Sequence, residues 1–356
     1  MELHIITGRA GAGKSRKVLE TVAAQRFQRP QVLLVPEHAT HEAELDLCRA
    51  LGDTASRDAE VLSFQSLATR ALSQTGGIAD ITLDNGGKIL TMRRALQDVS
   101  SFLTVFARPS QRPAFLRELV ALADELYAYR IPPALLLQQV RDIPGAAGDK
   151  LRSTALLFSA YDARLHSGDF DARSKVQKLC DSLPDSGYLA EKDLYIDGFS
   201  YFNRTEEDIL AAALKQAHSV TVTLLGDDSD PQLFSNGVRQ CHRLRKLAKE
   251  CGCKSEVNNL VSDCGTAFSH LEKYFLGADE TWQGDAPPIA LYQANTAYSE
   301  VEYISAQLRK LAQNGVRWRD MAVATRSMEV YGPLLEAVFR RDEIPAYISR
   351  RSDILE

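Results

Sequence analysis

Short apolar runs alternate with segments of helical periodicity through the first 75 residues. Buried strands are predicted at residues 3–7, 32–35 and 60–62, where the runs end at glycine, proline or serine. A helix is predicted after each strand, the first beginning at Ser15 and the second capped by Thr40. Strands that alternate with helices in this way predict a parallel sheet covered by helices on both faces.

The pattern changes after Gly76-Gly77. Residues 84–184 place apolar side chains at helical spacing and show no convincing strand. Strand signals return at residues 194–196 and 220–225, and a helix is predicted after each of them. The sequence therefore predicts an all-helical domain inserted into the sheet domain.

A second α/β unit is predicted beyond the Gly- and Pro-containing segment 283–288. Its strands are predicted at 289–293, 321–324 and 346–348. No helix follows the last strand, so we expect the sequence to be part of a longer protein. The predicted organisation is a sheet domain at residues 1–83 and 191–288, a helical insertion at 84–190, and the start of a second α/β domain at 289–356.

Composition narrows the class of protein. The chain of 356 residues is too long for one ordinary core, and its 45% apolar and 25% charged content is that of globular proteins. No run of about 18 apolar residues predicts a membrane span, so we expect no membrane partner. The net charge of -5 argues against a mainly electrostatic nucleic-acid binder, although a local basic groove stays possible. Six scattered cysteines and no signal peptide indicate a reduced, cytoplasmic protein.

A glycine-rich segment directly after the first predicted strand carries the strongest chemical signal. Its pattern, Gly-x-x-x-x-Gly-Lys-Ser between a strand and a helix, is that of the loop that binds nucleoside triphosphates. Backbone N–H groups cradle the β-phosphate, Lys14 reaches the β- and γ-phosphates, and the Ser15 hydroxyl binds Mg²⁺. The alternative is a glycine-rich turn without a ligand. The predicted nucleotide-binding residues are Gly8, Arg9, Ala10, Gly11, Ala12, Gly13, Lys14 and Ser15.

Two more residues are candidates for the same site. Asp197 ends a predicted strand, where an aspartate holds Mg²⁺ through water, or else stands in an ordinary turn. Gly198 follows it, where hydrolysing motors usually have a glutamate that positions the attacking water. Arg326 follows a predicted strand of the second unit and is either an arginine finger or a surface arginine.

Other polar and aromatic residues leave alternatives open. Residues 225–232 are similar to the Gly-Asp-x-x-Gln sensor segment of helicases with an expanded spacing, and equally to a polar turn. His38, His41 and Glu42 lie close in sequence, but no further ligand is found at a matching spacing, which disfavours a metal site. Aromatic side chains near strand ends either stack on unpaired bases or belong to the core; these are Phe64, Tyr201 and Phe202.

The chain resembles the B subunit of the AddAB (RexAB) helicase-nuclease over essentially its whole length. The segments that carry the resemblance are residues 7–15, 34–37, 61–64, 195–199 and 344–347. Asp-Gly-Phe at 197–199, in place of Asp-Glu, is the most specific of them. The resemblance implies a P-loop NTPase, a superfamily 1 helicase-like α/β fold that binds ATP and Mg²⁺. It also implies a nuclease domain with an iron–sulfur cluster far downstream, to which none of the six cysteines is assigned.

The resemblance further implies partners. The family's complex of A and B subunits unwinds and trims double-stranded DNA ends for recombinational repair, and the helicase-like half of the B subunit scans the single strand for a regulatory Chi sequence. DNA contacts are expected near the strand ends, at His38, Thr40, Phe64, Arg70 and Phe202. The chain departs from the family at His38, where many members have glutamine, and at Ser66 and Thr69, where arginine and tryptophan are frequent.

Three functions therefore compete. The first is the DNA-scanning, non-motor part of a helicase-nuclease. The second is an active superfamily 1 helicase with an unusual acidic motif. The third is a P-loop kinase or transferase, which a large helical insertion and a second α/β unit fit poorly. DNA-stimulated ATP turnover separates the second from the first, and acceptor-dependent phosphate transfer without DNA favours the third.

Overall fold

The computed structural model describes most of the chain and divides it into two compact units. The units are residues 1–264 and 265–356. The described residues are 2–52, 54–76, 83–103, 105–106, 112–140, 143–167, 175–261, 266–274, 280–285 and 288–348. The domain boundaries predicted after residues 83, 190 and 288 stay predictions.

The first unit contains a six-stranded, all-parallel sheet with the strand order β3-β2-β4-β5-β1-β6. The strands are β1 (Glu2–Gly8), β2 (Gln31–Leu34), β3 (Ala59–Leu62), β4 (Asp193–Ile196), β5 (Ser219–Leu225) and β6 (Lys254–Leu260). Because every pair is parallel, the carboxyl ends of all six strands meet at one edge of the sheet. The α/β fold with a parallel sheet is confirmed.

The predicted insertion is helical throughout its described residues. The first seven helices of the chain are α1 (Lys14–Ala24), α2 (Thr40–Leu51), α3 (Phe64–Thr75), α4 (Asn85–Val99), α5 (Pro113–Ala128), α6 (Pro133–Gln139) and α7 (Gly145–Ser167). The last four of these form the insertion and enclose a core of their own, in which Met92, Leu116 and Phe158 are buried.

Helices cover both faces of the sheet. Three further helices follow the insertion: α8 (Lys175–Ser186), α9 (Arg204–Gln216) and α10 (Ser235–Glu250). Successive side chains of β1 point to opposite faces, so that Ile5 packs in the core with α3, α8, α9 and α10 while Ile6 packs with α1 and α2. Burial on both faces explains why most residues of β1, β2, β4 and β5 are apolar or β-branched.

The helix α8 belongs to the sheet domain, although it lies within the predicted insertion. It packs with α3 and α9, and its Leu179 and Leu183 are buried in the core of the sheet domain. The helical pattern of residues 84–184 therefore contains helices of two separate cores.

The structure differs from the sequence analysis of the sheet domain at two points. The strand β6 was not predicted, because every residue from Lys254 to Asn259 is exposed at the edge of the sheet and no apolar run marks it. Thr40 does not cap α2 either. It is the first residue of the helix after the N-cap Ala39, and its hydroxyl donates a hydrogen bond to the Glu37 carbonyl at 2.9 Å.

The second unit is helical where a sheet was expected. It contains α11 (Ala267–Tyr274), α12 (Ala297–Gln313) and α13 (Met328–Arg341), and α12 and α13 pack around Val301, Val338 and Phe339. The segments predicted as strands at 289–293, 321–324 and 346–348 form no strand within residues 288–348. A strand exists only where its backbone is hydrogen-bonded to a neighbour, and these three segments do not pair with one another.

Candidate nucleotide-binding site

The glycine-rich loop lies where the first strand ends and the first helix begins. β1 ends at Gly8 and α1 begins at Lys14, with Gly13 as its N-cap. Gly11 and Gly13 have φ angles of 74° and 84°, which side chains other than glycine rarely adopt. The loop therefore turns in a left-handed conformation that its glycines permit and presents the N-terminus of α1, where backbone N–H groups and the helix dipole favour an anion.

The Lys14 side chain folds back over this loop. Its ammonium nitrogen donates hydrogen bonds to the carbonyl oxygens of Gly8, at 2.9 Å, and Arg9, at 2.7 Å. Burial lowers the pKa of Lys14, and the carboxylate of Asp197 counteracts this by favouring the charged form. A phosphate held in the loop would offer this half-buried cation a stronger, charged partner than two carbonyl oxygens do. The loop thus fits a phosphate group.

Asp197 lies at the same edge of the sheet, directly after β4. Its backbone N–H bonds to the Leu34 carbonyl at 2.9 Å, and its carboxylate accepts a hydrogen bond from the Thr223 hydroxyl on the neighbouring strand β5. The role of Thr223 was not predicted, because a threonine inside a β-branched strand carries no distinguishing signal. A fixed carboxylate beside the loop lysine can hold Mg²⁺ together with the Ser15 hydroxyl in the first turn of α1.

The backbone at Gly198 strongly favours glycine. Its φ angle is 82°, and a Cβ added there would lie 3.3 Å from Cδ of Pro36. A glutamate at this position would have to adopt a left-handed conformation and displace the proline ring. The absence of a water-positioning glutamate after Asp197 is therefore built into the turn that follows β4.

The Arg9 side chain joins the glycine-rich loop to the segment after β5. Its Nε lies 2.5 Å from the Asp227 carboxylate, and its guanidinium carbon lies 5.2 Å from the centre of the Phe234 ring. The Asp227 carboxylate also accepts hydrogen bonds from the backbone and hydroxyl of Ser229. Residues 225–232, predicted as either a sensor segment or a turn, thus contact the glycine-rich loop through an ion pair that is largely buried.

We expect the Asp227→Asn variant to lose part of the acid sensitivity of the parent. Partial burial raises the pKa of Asp227, but the hydrogen bonds from Arg9 and Ser229 outweigh it and hold the pKa below the ordinary value. The stabilisation is therefore present above about pH 4, the usual aspartate pKa, and is lost as the pH falls through the lower, folded-state value. Urea unfolding at pH 7 and pH 3 measures it, and between the two pH values the parent should lose about 1–2 kcal/mol more than the variant.

The exposed neighbour Asp228 provides the control for this experiment. Asp228→Asn removes the same charge one residue away and should leave the pH dependence of the parent unchanged. An equal effect of both substitutions would mean that the general negative charge of the segment, and not the Arg9 contact, causes the acid sensitivity.

The residues predicted to contact DNA follow three adjacent strands, but the structure divides them into buried and accessible ones. The segments after β2 and β3 are joined by a hydrogen bond of 3.1 Å from the Ser63 hydroxyl to Glu37. His38 is exposed and Thr40 half-buried in the first segment, and Arg70 is exposed on α3 with Glu60 3.5 Å away.

Two of the aromatic residues predicted to stack on bases are buried instead. Phe64 and Phe202 are 7% and 3% exposed, and both rings pack against Phe199 with centroids 5.4 Å apart. Their faces are filled by the core, which supports the packing alternative over base stacking. Tyr201, the third aromatic considered, is 63% exposed beside them and has an accessible ring.

Two candidates remain, Arg326 and a metal centre. Arg326 is exposed just before α13 in the second unit, and its role as an arginine finger stays a prediction. No group of three or more histidine, cysteine or acidic side chains suitable for a metal ion occurs among the described residues. None of the helices that the structure describes is long and apolar enough to cross a membrane.

The fold and the loop together define an α/β protein with an all-parallel sheet and a glycine-rich, lysine-containing loop between its first strand and first helix. Comparison with known proteins makes the class specific. Residues 5–272 match the family model described as ADDB, N-terminal, and the chain belongs to this family. The resemblance to the B subunit of the helicase-nuclease is thereby confirmed.

Bacterial relatives match the chain along its whole length. A protein of Moorella thermoacetica, named as the B subunit of an ATP-dependent helicase/deoxyribonuclease, is 32% identical over 99% of this chain and 33% of its own length. Proteins of the same name from Acetivibrio thermocellus and Clostridioides difficile are 30% and 28% identical and are covered to 33% and 32%. The chain thus spans about a third of the length of the relatives that it matches.

Proposed function

We propose that this chain is the ATP-binding, helicase-like and non-motor N-terminal part of the B subunit of an ATP-dependent helicase-nuclease. The relatives' shared name supports the kind of complex, and the geometry of the glycine-rich loop supports the nucleotide. The observation that carries the proposal is the combination of Lys14 folded into the loop with a left-handed Gly198 directly after Asp197. Such a site can hold a nucleotide without positioning a water for attack.

The residues of the site have different roles in binding. Backbone N–H groups of Gly11 to Gly13 and the ammonium of Lys14 hold the phosphates, while Ser15 and Asp197 hold Mg²⁺, which neutralises phosphate charge when it is bound. Arg9 and Asp227 keep the loop fixed against the segment after β5. A nucleotide here serves as a structural or regulatory ligand and does not drive translocation along DNA.

The partners follow from the same proposal. We place single-stranded DNA at the edge where β2, β3 and β4 end, with Tyr201 as the accessible aromatic and with His38, Thr40 and Arg70 beside it. The proposal also includes two partners, the A subunit and double-stranded DNA ends. It further includes scanning of the single strand for a Chi-type sequence and a cytoplasmic location. An iron–sulfur cluster is proposed only for the downstream nuclease domain that the resemblance implies, and the described cysteines Cys48, Cys180, Cys241, Cys251 and Cys253 are not assigned to it.

The chain should hydrolyse ATP far more slowly than about 1 s⁻¹, with or without single-stranded DNA. The reason is that a left-handed glycine occupies the position of the water-positioning glutamate. Phosphate release measured over a range of oligonucleotide concentrations tests this. Gly198→Glu should not restore turnover, because a glutamate is strained in this left-handed turn and its Cβ would crowd Pro36.

The Lys14→Ala variant, purified in parallel, controls for contaminating ATPases, whose activity would persist in it. Turnover of about 1 s⁻¹ or faster that disappears in Lys14→Ala would contradict the non-motor assignment and favour an active helicase. Phosphate transfer to a small acceptor in the absence of DNA would favour a kinase or transferase instead.

A further inference from the structure

The exposed face of α10 is strongly basic in a chain whose net charge is -5. The helix Ser235–Glu250 contains five lysines and arginines and one acidic residue, Glu250. All five basic side chains are exposed, and His242 is exposed between them; we name this surface the α10 basic face, formed by Arg239, Arg243, Arg245, Lys246 and Lys249. The acidic residues Asp227, Asp228 and Asp230 precede the helix, and the positive surface begins at Arg239, after its first turn.

The opposite face of the helix is fixed to the sheet. Leu244 and Ala248 are buried in the core of the sheet domain, and Gly237 approaches the end of β5 closely. A Cβ at Gly237 would lie 1.8 Å from the Leu225 carbonyl oxygen, a distance that no side chain tolerates. Because the helix is held this tightly, it cannot rotate, and the basic side chains are kept on its exposed side.

Internal ion pairs neutralise only part of the α10 basic face. Arg243 lies 2.7 Å from Glu207 on α9, and Lys246 lies 3.8 Å from Glu250. No described carboxylate lies within the 4.0 Å ion-pair distance of the three remaining side chains, Arg239, Arg245 and Lys249. Arg239 bonds instead to the neutral groups of Ser235 and Asn236.

The spacing of the basic residues disfavours an ordinary solvated helix face. Arg239 and Arg243, and likewise Arg245 and Lys249, stand four residues apart, where like charges repel and destabilise the helix. Solvated helix faces usually place acidic residues at such positions. Only Lys249, in the last turn, gains from the helix dipole. A ligand of opposite charge would remove the repulsion.

The types of side chain on the α10 basic face indicate which class of ligand it binds. No large apolar side chain is exposed on α10, whereas protein interfaces are built around apolar and aromatic residues with few charges at the centre. The α10 basic face also has no phenylalanine, tyrosine or tryptophan, on whose rings proteins that bind single strands stack the bases. Arg239 and Lys249 are ten residues apart, or about 15 Å along the helix. Duplex DNA presents a negative charge about every 1.7 Å along its axis and needs neither kind of contact.

We propose that the α10 basic face binds the phosphate backbone of double-stranded DNA without regard to sequence. This surface is separate from the nucleotide site and from the edge assigned to the single strand. The choice of DNA as the polyanion rests on the proposed function, while the existence of a polyanion site rests on the charges of α10 alone.

The test neutralises Arg239, Arg245 and Lys249, which have no acidic partner among the described residues. In Arg239→Gln/Arg245→Gln/Lys249→Gln, we expect binding of a duplex of about 20 base pairs and arbitrary sequence to weaken at least tenfold at low salt. The slope of log affinity against log salt should fall by about 2–3, because each phosphate contact contributes about 0.9. The melting temperature should stay equal or rise, since like-charge repulsion is relieved. Fluorescence anisotropy at several salt concentrations and thermal unfolding measure these quantities.

A matched triple variant controls for the change in total charge. Arg57→Gln/Arg93→Gln/Arg94→Gln also removes three exposed positive charges, from other elements of the same unit, and should bind the duplex like the parent. Equal loss in both triples, a parent that does not bind duplex, or binding of poly-glutamate as tight as that of duplex would overturn the proposal. Nucleotide titration of the same samples reports on the proposed function separately, because no residue of the α10 basic face belongs to that site.

Discussion

Replacing Lys14 by alanine should weaken the binding of ATP and ADP by at least tenfold, or about 1.4 kcal/mol and more. The lysine ammonium is already directed into the glycine-rich loop, where it bonds to the carbonyl oxygens of Gly8 and Arg9. A bound nucleotide would make this ammonium a direct partner of its phosphate oxygens, and such charge-assisted hydrogen bonds are about twice as strong as neutral ones. Isothermal titration calorimetry with Mg²⁺ present measures the loss.

Lys17 provides the control on the same helix. It is exposed one turn further along α1, so Lys17→Ala removes the same side chain and the same charge without touching the loop. We expect its nucleotide affinity to equal that of the parent, and thermal unfolding should show that both variants remain folded. Unchanged affinity in Lys14→Ala, or equal losses in both variants, would remove the basis for a phosphate site in this loop.

Substituting the adjacent aromatics Tyr201 and Phe202 should have opposite consequences. Phe202→Ala should lower the free energy of unfolding by about 3–5 kcal/mol, because the ring is 3% exposed and packs against Phe199 in the main core. Tyr201→Ala should change that free energy by less than about 0.5 kcal/mol, since its ring is 63% exposed. The same change should weaken single-strand binding by about 1–3 kcal/mol if the ring stacks on a base as proposed.

Urea unfolding and oligonucleotide binding at low salt measure the two quantities for each variant. Phe202→Leu keeps most of the buried volume and serves where the alanine variant does not fold. It should bind DNA like the parent. A Phe202→Leu protein that is stable but has lost DNA affinity would restore this ring as the stacking residue. A Tyr201→Ala protein that binds like the parent would show that the single strand does not contact this part of the edge.

The elements that the sequence predicted well are those buried on both faces. β5 has apolar and β-branched residues along its whole length because α9 and α10 cover one face and the other face is also closed, so its signal is continuous. β6 gives no such signal, since all its side chains except Leu260 are exposed and its backbone pairs with β1 at the edge of the sheet. The strands predicted between residues 289 and 348 are absent from the described residues 288–348 for the opposite reason. Their apolar runs are real, but no backbone partner pairs with them in the described residues.

For the site, the sequence alone determined the glycine-rich loop, Lys14 and the glycine after Asp197, because each depends on residue type at a fixed short spacing between a strand and a helix. Only the tertiary structure decided which distant groups meet this loop. Arg9 and Asp227 are 218 residues apart, and their contact arises because β1 and β5 are neighbours in the sheet. The sequence likewise could not separate Phe202 from Tyr201, since a core aromatic and an accessible one differ only in what packs against them.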